Sequence, residues 1–349
     1  MDTNGIDRHR THSYLGGYLS DSLKDLSPRV AVVIVNWNGE QFIEQCIKSL
    51  LSQTVQPFEI ILLDNASTDN SLNIVRNYPS VKLIASGINT GFARGNNLAI
   101  ASTDPSVEWI ALLNPDAFAD SNWLKNLLIS AQKNPRFSAF GCKQINAVRP
   151  KILDGEGDSY HLSGLVWRSG FGNSISRQGY AEGEIFSPCA AAALYRRRAF
   201  QEVGGFDEDY FCYVEDVDLG FRLRLAGYQC LYVPSAVVHH VGSGITGGQK
   251  SDFSVYHGHR NLVWTYVKNM PGFLFWICLP LHLALNVVEF VYFALRGQSG
   301  VVWRAKRDAF LGLPLAWQKR KKIQAIRKAS IWSIWRMLDK TFISRIRQL

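Results

Sequence analysis

Residues 29–36 (RVAVVIVN) form a nearly unbroken run of β-branched and apolar side chains, the pattern of a strand covered on both faces. Trp37-Asn38-Gly39-Glu40 breaks the run, and Phe42, Cys46, Ile47, Leu50 and Leu51 then recur at helical spacing. The alternation repeats. Residues 58–63 read as a second buried strand, residues 64–69 as a loop of helix-capping types, and residues 71–77 as a helix. A third strand at 81–85, a helix beginning over 95–101 and a strand over Trp109–Leu113 follow. Strands alternating with helices predict an α/β fold: a mostly parallel central sheet with helices on both faces.

The pattern changes near the C-terminus. Residues 273–295 are 23 mostly apolar positions, long enough to cross a bilayer. They also carry Pro280, His282, Asn286 and Glu289 at spacings that can share one helix face. A single span, an in-plane or re-entrant amphipathic helix, and a buried helix are the three readings. Beyond them, residues 296–349 hold 14 Lys/Arg against 2 Asp/Glu, so the net charge of +9 belongs to this tail. Its basic residues alternate with Trp303, Trp317, Ile323, Ile326, Trp332, Trp335, Leu338 and Ile343, which suits an anionic membrane surface rather than nucleic acid. Residues 1–28 are polar, lack the apolar stretch of a secretory leader and read as a flexible extension. The organisation expected is therefore 1–28 extension, 29–262 catalytic domain, and 263–349 membrane-associating region. Six cysteines without CxxC or zinc spacing read as buried thiols in a reducing compartment.

In an open α/β sheet, ligands bind outside the carboxyl ends of the strands. Here those ends carry Asn36-Trp37-Asn38, Asp64-Asn65 and Asn114-Pro115-Asp116. No GxGxxG follows the first strand and no GxxxxGK[ST] occurs, which removes the dinucleotide and P-loop readings. Acids at strand ends point instead to a divalent metal holding a diphosphate. Further along, Glu215, Asp216 and Asp218 crowd together beside Phe211, Tyr213 and Leu219. Mutual repulsion in apolar surroundings marks one of them as a group held for proton transfer.

Five ordered motifs carry a family resemblance across roughly residues 30–260. They are Val33-Ile34-Val35-Asn36-Trp37-Asn38-Gly39, Leu63-Asp64-Asn65-Ala66-Ser67-Thr68-Asp69, and Asn89-Thr90-Gly91-Phe92-Ala93-Arg94-Gly95-Asn96-Asn97. Leu113-Asn114-Pro115-Asp116-Ala117 comes next, then Gly204-Gly205-Phe206-Asp207-Glu208 through Glu215-Asp216-Val217-Asp218-Leu219. Together they resemble an inverting glycosyltransferase of family 2, with the Rossmann-like GT-A fold, in its rhamnosyltransferase-like branch.

The resemblance implies that Asp64 accepts the N3–H of a pyrimidine base, with Trp37 at the base's face. Asn36, Asn38, Asn65, Arg94 and Asn114 then belong to the nucleotide site. It implies that Asp116 binds Mg2+ or Mn2+ in a reduced acidic motif, since Ala117 cannot ligate. A histidine of Val238-His239-His240-Val241 is expected to assist, and strand alternation favours His240 over His239. Asp216 resembles the family's base, and Glu215 ranks behind it. Residues 154–188, with Trp167 and Arg168, read as loops and an edge hairpin over the cleft, where an acceptor is sensed. The function implied is sugar transfer from a dTDP- or UDP-linked donor to a glycan or polyprenyl-diphosphate-linked acceptor in cell-surface polysaccharide synthesis. The expected location is the cytoplasmic face of the bacterial inner membrane. A polyprenyl-phosphate sugar transferase and a non-catalytic membrane scaffold of the same fold are the rival readings.

Overall fold

The computed structural model describes residues 29–176, 181–242, 247–248 and 250–341. The expected N-terminal extension and the end of the tail, Ile343 included, lie outside the described residues. The first half runs β1 (Val30–Asn36), α1 (Ile43–Leu51), β2 (Glu59–Asp64), α2 (Ser71–Arg76), β3 (Val81–Ala85), α3 (Gly91–Ala101) and β4 (Trp109–Leu113). A short β5 (Ala117–Ala119), α4 (Trp123–Lys133) and β6 (Phe137–Asn146) follow, then the short strands β7 (Leu153–Gly155), β8 (Asp158–Tyr160), β9 (Val166–Arg168) and β10 (Gly183–Ile185). β11 (Ala192–Arg196), α5 (Arg197–Glu202), α6 (Glu215–Leu225) and β12 (Gln229–His240) complete the sheet region. Five helices end the described chain: α7 (Asp252–Asn269), α8 (Gly272–Leu295), α9 (Ser299–Leu311), α10 (Leu313–Ala325) and α11 (Ile331–Met337).

The main sheet has the order β10-β12-β6-β11-β4-β1-β2-β3. β4, β1, β2 and β3 are mutually parallel, and β11 runs antiparallel between β4 and β6. Strand alternation explains the two cores. Val30, Val32 and Ile34 of β1 pack with Ile43, Ile47, Trp123 and Leu127, whereas Ala31, Val33 and Val35 pack with Ala99, Ile100, Leu219 and Leu223. Helices thus cover both faces. The parallel register sets Asn36 opposite Asp64, so the loops after β1 and β2 leave the sheet at one level. β12 returns beside β6 with a register shift between Val233 and Val237, and its end pairs antiparallel with β5, His240 opposite Ala117. This pairing carries His240 to Asp116 across more than a hundred residues of chain.

The C-terminal helices are not a detached module. The boundary expected at residue 262 falls inside α7, and Tyr266, Met270, Leu274, Phe275 and Ala316 share a core with Tyr160, Phe186, Val217 and Phe221. Each of the larger apolar side chains among them contributes about 1.5–3 kcal/mol, enough to weld the two regions together. In α8 two polar residues are buried together with Leu274, Phe275, Cys278 and Phe293: His282 Nδ1 lies 2.7 Å from the carbonyl of Ser163, and Glu289 lies 3.0 Å from His259 and 2.8 Å from Lys306. Phe273, Trp276, Ile277, Val287, Val291 and Leu295 stand exposed on the other side. α8 is the one helix among the described residues long and apolar enough to cross a membrane. Several tail cations are spent internally: Lys319 pairs with Asp207 and Asp209, Lys328 with Glu202, and Arg320 donates to the carbonyls of Val267 and Met270.

Candidate active site

A cavity of about 690 Å³ opens at the carboxyl ends of β1 and β4, walled by the β8–β9 hairpin and the loop before α6. It collects Trp37, Asn65, Asn114, Asp116, Glu215, Asp216 and His240, and adds Asp158, Trp167, Arg168 and Cys189. Asn36, Asn38, Asp64 and Arg94 are not among its lining residues, and the structure gives them other work. Asp64 ends β2 almost fully buried. Its Oδ1 accepts from Asn36 Nδ2 at 2.9 Å and from the Ser67 hydroxyl at 2.6 Å, and its Oδ2 from the Ser67 N–H at 2.9 Å. The carboxylate therefore locks the β2 turn to β1. Asn38 ties the same turn, accepting from the Thr68 N–H at 2.8 Å. Asn65 does the equivalent for the next loop, donating to Asn89 Oδ1 and to the Gly91 carbonyl at 3.0 Å each. Arg94 projects from α3 into solvent, 3.7 Å from Glu208.

At the strand-end side, Asp116 follows β4 and is 4% exposed. His240 Nε2 faces its Oδ1 at 3.3 Å without an aligned hydrogen bond. On the opposite side of the ring, Nδ1 lies 2.8 Å from Asp154 Oδ2, which also accepts from Arg168 Nη1 at 2.6 Å. Burial disfavours the charged ring, but the carboxylates of Asp116 and Asp154 outweigh it and push the His240 pKa up to about 9. For Asp154 burial is likewise overcome, by Arg168 and His240, and its pKa falls to about 2. Asp116 is lowered in the same way, chiefly by His240 against burial. His239 points outward, its Nε2 3.2 Å from Asp120. One carboxylate beside a buried imidazole nitrogen without an aligned partner, whose other nitrogen is braced by a carboxylate, is a donor set that fits a divalent cation.

The opposite side carries the acids of α6, and the structure divides them. Asp218 is fully buried and neutralised by Arg222 Nε at 2.8 Å and Lys268 Nζ at 2.9 Å, with Asn269 and Tyr210 also donating, which makes it a structural acid. Glu215 and Asp216 face the cleft. Among the described residues, Asp216 accepts only backbone N–H groups, from Ala190 at 3.0 Å and Val217 at 2.8 Å, and Glu215 Oε2 has no partner. Burial, followed by the charge of Asp216, pushes the Glu215 carboxyl well above the usual range; burial raises that of Asp216.

These two acids are presented by an unusual loop. Phe211, Tyr213 and Val214 all have positive φ, at 64°, 66° and 69°. That region is disfavoured for a bulky residue and most of all for a β-branched one such as Val214. The loop packs down onto Gly91, where a Cβ would meet Phe211 at 2.6 Å. Asn261 of α7 holds it: buried, it directs Nδ2 at the carbonyls of Tyr210, Cys212 and Tyr213 at 3.1, 2.9 and 2.8 Å. Arg260 adds bonds to the carbonyls of Asp209 and Tyr210. Sequence reasoning missed both this clamp and the bracing acid Asp154. A helix-face Asn and an acid in an aperiodic stretch carry no local signal of such roles.

Comparison with known proteins follows the same lines. The Glycosyl transferase family 2 pattern matches residues 31–204, and that of Glycosyl transferase family group 2 matches residues 160–295. An N-acetylglucosaminyl-diphospho-decaprenol L-rhamnosyltransferase of Mycobacterium tuberculosis is 33% identical over 286 residues, covering 73% of this chain and 88% of the relative. Rhamnosyltransferase WbbL of Escherichia coli K12 is 27% identical over 225 residues, covering 59% of this chain and 81% of the relative. Among solved structures, GalNAc-T7 with UDP, GalNAc and Mn2+ superimposes with a TM-score of 0.55 at 17% identity, over 68% of this chain and 47% of that one. The mannosyltransferase PcManGT of Pyrobaculum calidifontis, solved with GDP-Man and Mn2+, gives 0.52 at 17% identity, over 86% and 84%.

Proposed function

Because the chain belongs to glycosyl transferase family 2 and is a rhamnosyltransferase-like glycosyltransferase of the GT-A fold, we propose that it moves rhamnose from a dTDP- or UDP-linked donor onto a hydroxyl of a lipid-linked glycan. The process served is assembly of the bacterial cell envelope. The observation that carries this reading is the division of one cleft into a carboxylate-braced end at Asp116 and His240 and an underpaired acidic end at Glu215 and Asp216.

Displacing a nucleoside diphosphate from an anomeric carbon places negative charge on the leaving group. Asp116 and His240 would hold a divalent cation, Mg2+ or Mn2+, which when bound supplies countercharge for that diphosphate. Trp37 offers its ring to the nucleotide base, and Asn114 lines the same end of the cleft as a further nucleotide contact. On the other side Asp216 takes the proton of the acceptor hydroxyl, since its raised proton affinity suits a base working near neutral pH. One displacement of this kind inverts the anomeric centre. Trp167 and Arg168, on the hairpin wall, face the acceptor.

The same reading sets the protein on an anionic membrane at the cytoplasmic face. It is supported by the exposed apolar side of α8, beside exposed Trp303 and Trp317 and basic Arg304 and Arg307. The bonds that tie His282 and Glu289, in the middle of α8, to the catalytic body favour an in-plane helix over a span.

The deciding experiment supplies dTDP-rhamnose and N-acetylglucosaminyl-diphospho-polyprenol with Mg2+, with Mn2+ or with chelator, and follows rhamnosyl transfer. Transfer that depends on the cation and is inhibited more by dTDP and UDP than by ADP is the expected result. Equal transfer under chelator counts against the metal at Asp116, and stronger inhibition by ADP counts against the pyrimidine donor.

A further inference from the structure

One buried acid in the cleft has no part in the reading above. Asp158 opens β8 in register with Arg168 of β9 and is 6% exposed. A carboxylate oxygen of Asp158, one of Asp216 and the sulfur of Cys189 all lie within 4.8 Å of one another. The two acids are served very differently. Asp216 receives two backbone N–H groups, whereas Asp158 Oδ2 has no hydrogen-bond partner among the described residues. Arg168, the nearest cation, has its Nη1 committed to Asp154 at 2.6 Å and its Nε 3.9 Å from Asp158 Oδ1, beyond hydrogen-bonding distance.

Two carboxyl groups within 4.8 Å of each other, one of them buried, repel when both are charged, which favours the singly protonated state. Hydrogen bonds donated to a carboxylate stabilise its charge, so the acid with two N–H donors keeps the charge and the acid with none keeps the proton. The same three ligand atoms would suit a small cation geometrically, but the Arg168 guanidinium already supplies positive charge to this corner. We infer that Asp158 and Asp216 form a proton-sharing carboxyl pair, singly protonated in the working enzyme, with the proton on Asp158 and the charge on Asp216. The inference rests on Asp216 as the base. In the reaction the acceptor oxygen bonds the anomeric carbon as the bond from that carbon to the diphosphate oxygen breaks. The hydroxyl proton passes to Asp216, and the doubly protonated pair then releases one proton to solvent.

The surroundings agree. The ionisable groups facing the pair are Arg168 on β9, Asp154 on β7, Glu215 beside Asp216 on α6, Cys189, and Tyr195 on β11. Burial, then the charge of Asp216, pushes the Asp158 carboxyl well above its ordinary range.

The test uses the full-length chain and two readouts. Infrared difference spectra of the wild type at neutral pH should contain the carbonyl stretch of a protonated, buried carboxylic acid that Asp158→Asn lacks. In Asp216→Asn, where the partner charge is gone, that band should titrate at lower pH. The pH profile of kcat/KM should be bell-shaped in the wild type, and Asp158→Asn should keep the acid limb while its alkaline limb moves up by about one pH unit or more. An absent wild-type band, or an alkaline limb unmoved by Asp158→Asn, overturns the pair. If Asp158→Asn fails to fold, the titration of the band in Asp216→Asn decides alone, and an unshifted midpoint overturns the pair. Full transfer by Asp216→Asn would instead remove the base assignment and leave the infrared result standing by itself.

Discussion

At the strand-end side of the cleft, Asp116 and Asp154 face His240 and Arg168, and every buried acid has a cationic neighbour. Less than a cleft's width away, Glu215, Asp216 and Asp158 have one another, a few backbone N–H groups and the Arg168 guanidinium, which comes within 3.9 Å of Asp158 but is hydrogen-bonded to Asp154 instead. The first arrangement lowers carboxyl proton affinity and keeps charge fixed; the second raises it and keeps a proton mobile. The supporting backbone differs in degree. The turns after β1 and β2 each carry one non-glycine residue at positive φ, Asn38 and Ala66, whereas the loop before α6 carries three within four positions. A site that must hold a diphosphate can be built from settled charge, whereas a site that must accept a proton needs charge left unsettled, and strain with it.

If that contrast is right, the largest loss comes from removing the mobile end. Asp216→Asn should lower transfer by ~10²–10⁴-fold, the range for a general base, while binding of the nucleotide-sugar donor stays within about twofold. Calorimetric donor binding beside transfer rates checks it, and a variant retaining more than a tenth of the wild-type rate would sink the assignment. Next comes the loop. Asn261→Asp keeps the shape but replaces an N–H donor with an oxygen facing three carbonyls, so the acids of α6 should lose their position. Misplacement by about 1 Å costs ~10²-fold, expected in kcat with donor KM unchanged. If donor KM rises in step while kcat holds, Asn261 shapes the nucleotide end and the division of labour drawn here is wrong.

The settled end should respond more mildly. Asp154→Asn leaves Asp116 and His240 in place but withdraws the brace from Nδ1, an outer-sphere change that typically costs ~10–100-fold in metal affinity. Titrating Mn2+ against donor-dependent activity measures it. Stability tests the same contrast through pH. Glu215 binds its proton more tightly folded than unfolded, so its contribution is present below the unfolded pKa and lost as pH rises through the folded one. Glu215→Gln should thus raise Tm relative to wild type at pH 8 by the equivalent of ~1 kcal/mol and less at pH 5. The opposite sign holds for Asp154, whose lowered pKa adds stability above the ordinary carboxylate range that is lost as pH falls toward 2.

Much of the strand-end side was readable from residue order. The buried runs of β1, β2 and β4 announce a sheet, and Trp37, Asn114 and Asp116 follow from the rule that ligands meet strand ends. Asp64 shows the limit of that rule. A carboxylate at a strand end looks the same in sequence whether it faces a ligand or the next turn, and only the placement of Ser67 and Asn36 reveals that its oxygens are occupied. The proton-handling side was readable as a cluster but not as a division of roles, because Asp218 is taken out of it by Lys268, fifty residues on. Asp154, Asp158 and Arg168 come from short strands without periodicity, and the reversal of β11 within a largely parallel sheet left no mark in its AALYR pattern.

The smallest effect is expected at Arg94, and it tests where the nucleotide end stops. Arg94 sits in the glycine-flanked motif that suggested a phosphate or base contact, yet its side chain is 54% exposed and its nearest acid is Glu208 at 3.7 Å. An exposed pair at that distance is worth ~0–1 kcal/mol, and α3 presents its buried face, Ala93, Asn96 and Ile100, to the sheet instead. Arg94→Ala should therefore leave donor KM and kcat within about twofold and cost at most ~0.5 kcal/mol in stability. A tenfold rise in donor KM with no change in Tm would mean that the guanidinium swings from Glu208 to the bound nucleotide. The strand-end side of the cleft would then extend onto α3 and acquire a mobile charge, the property that here sets apart the side that holds Asp216.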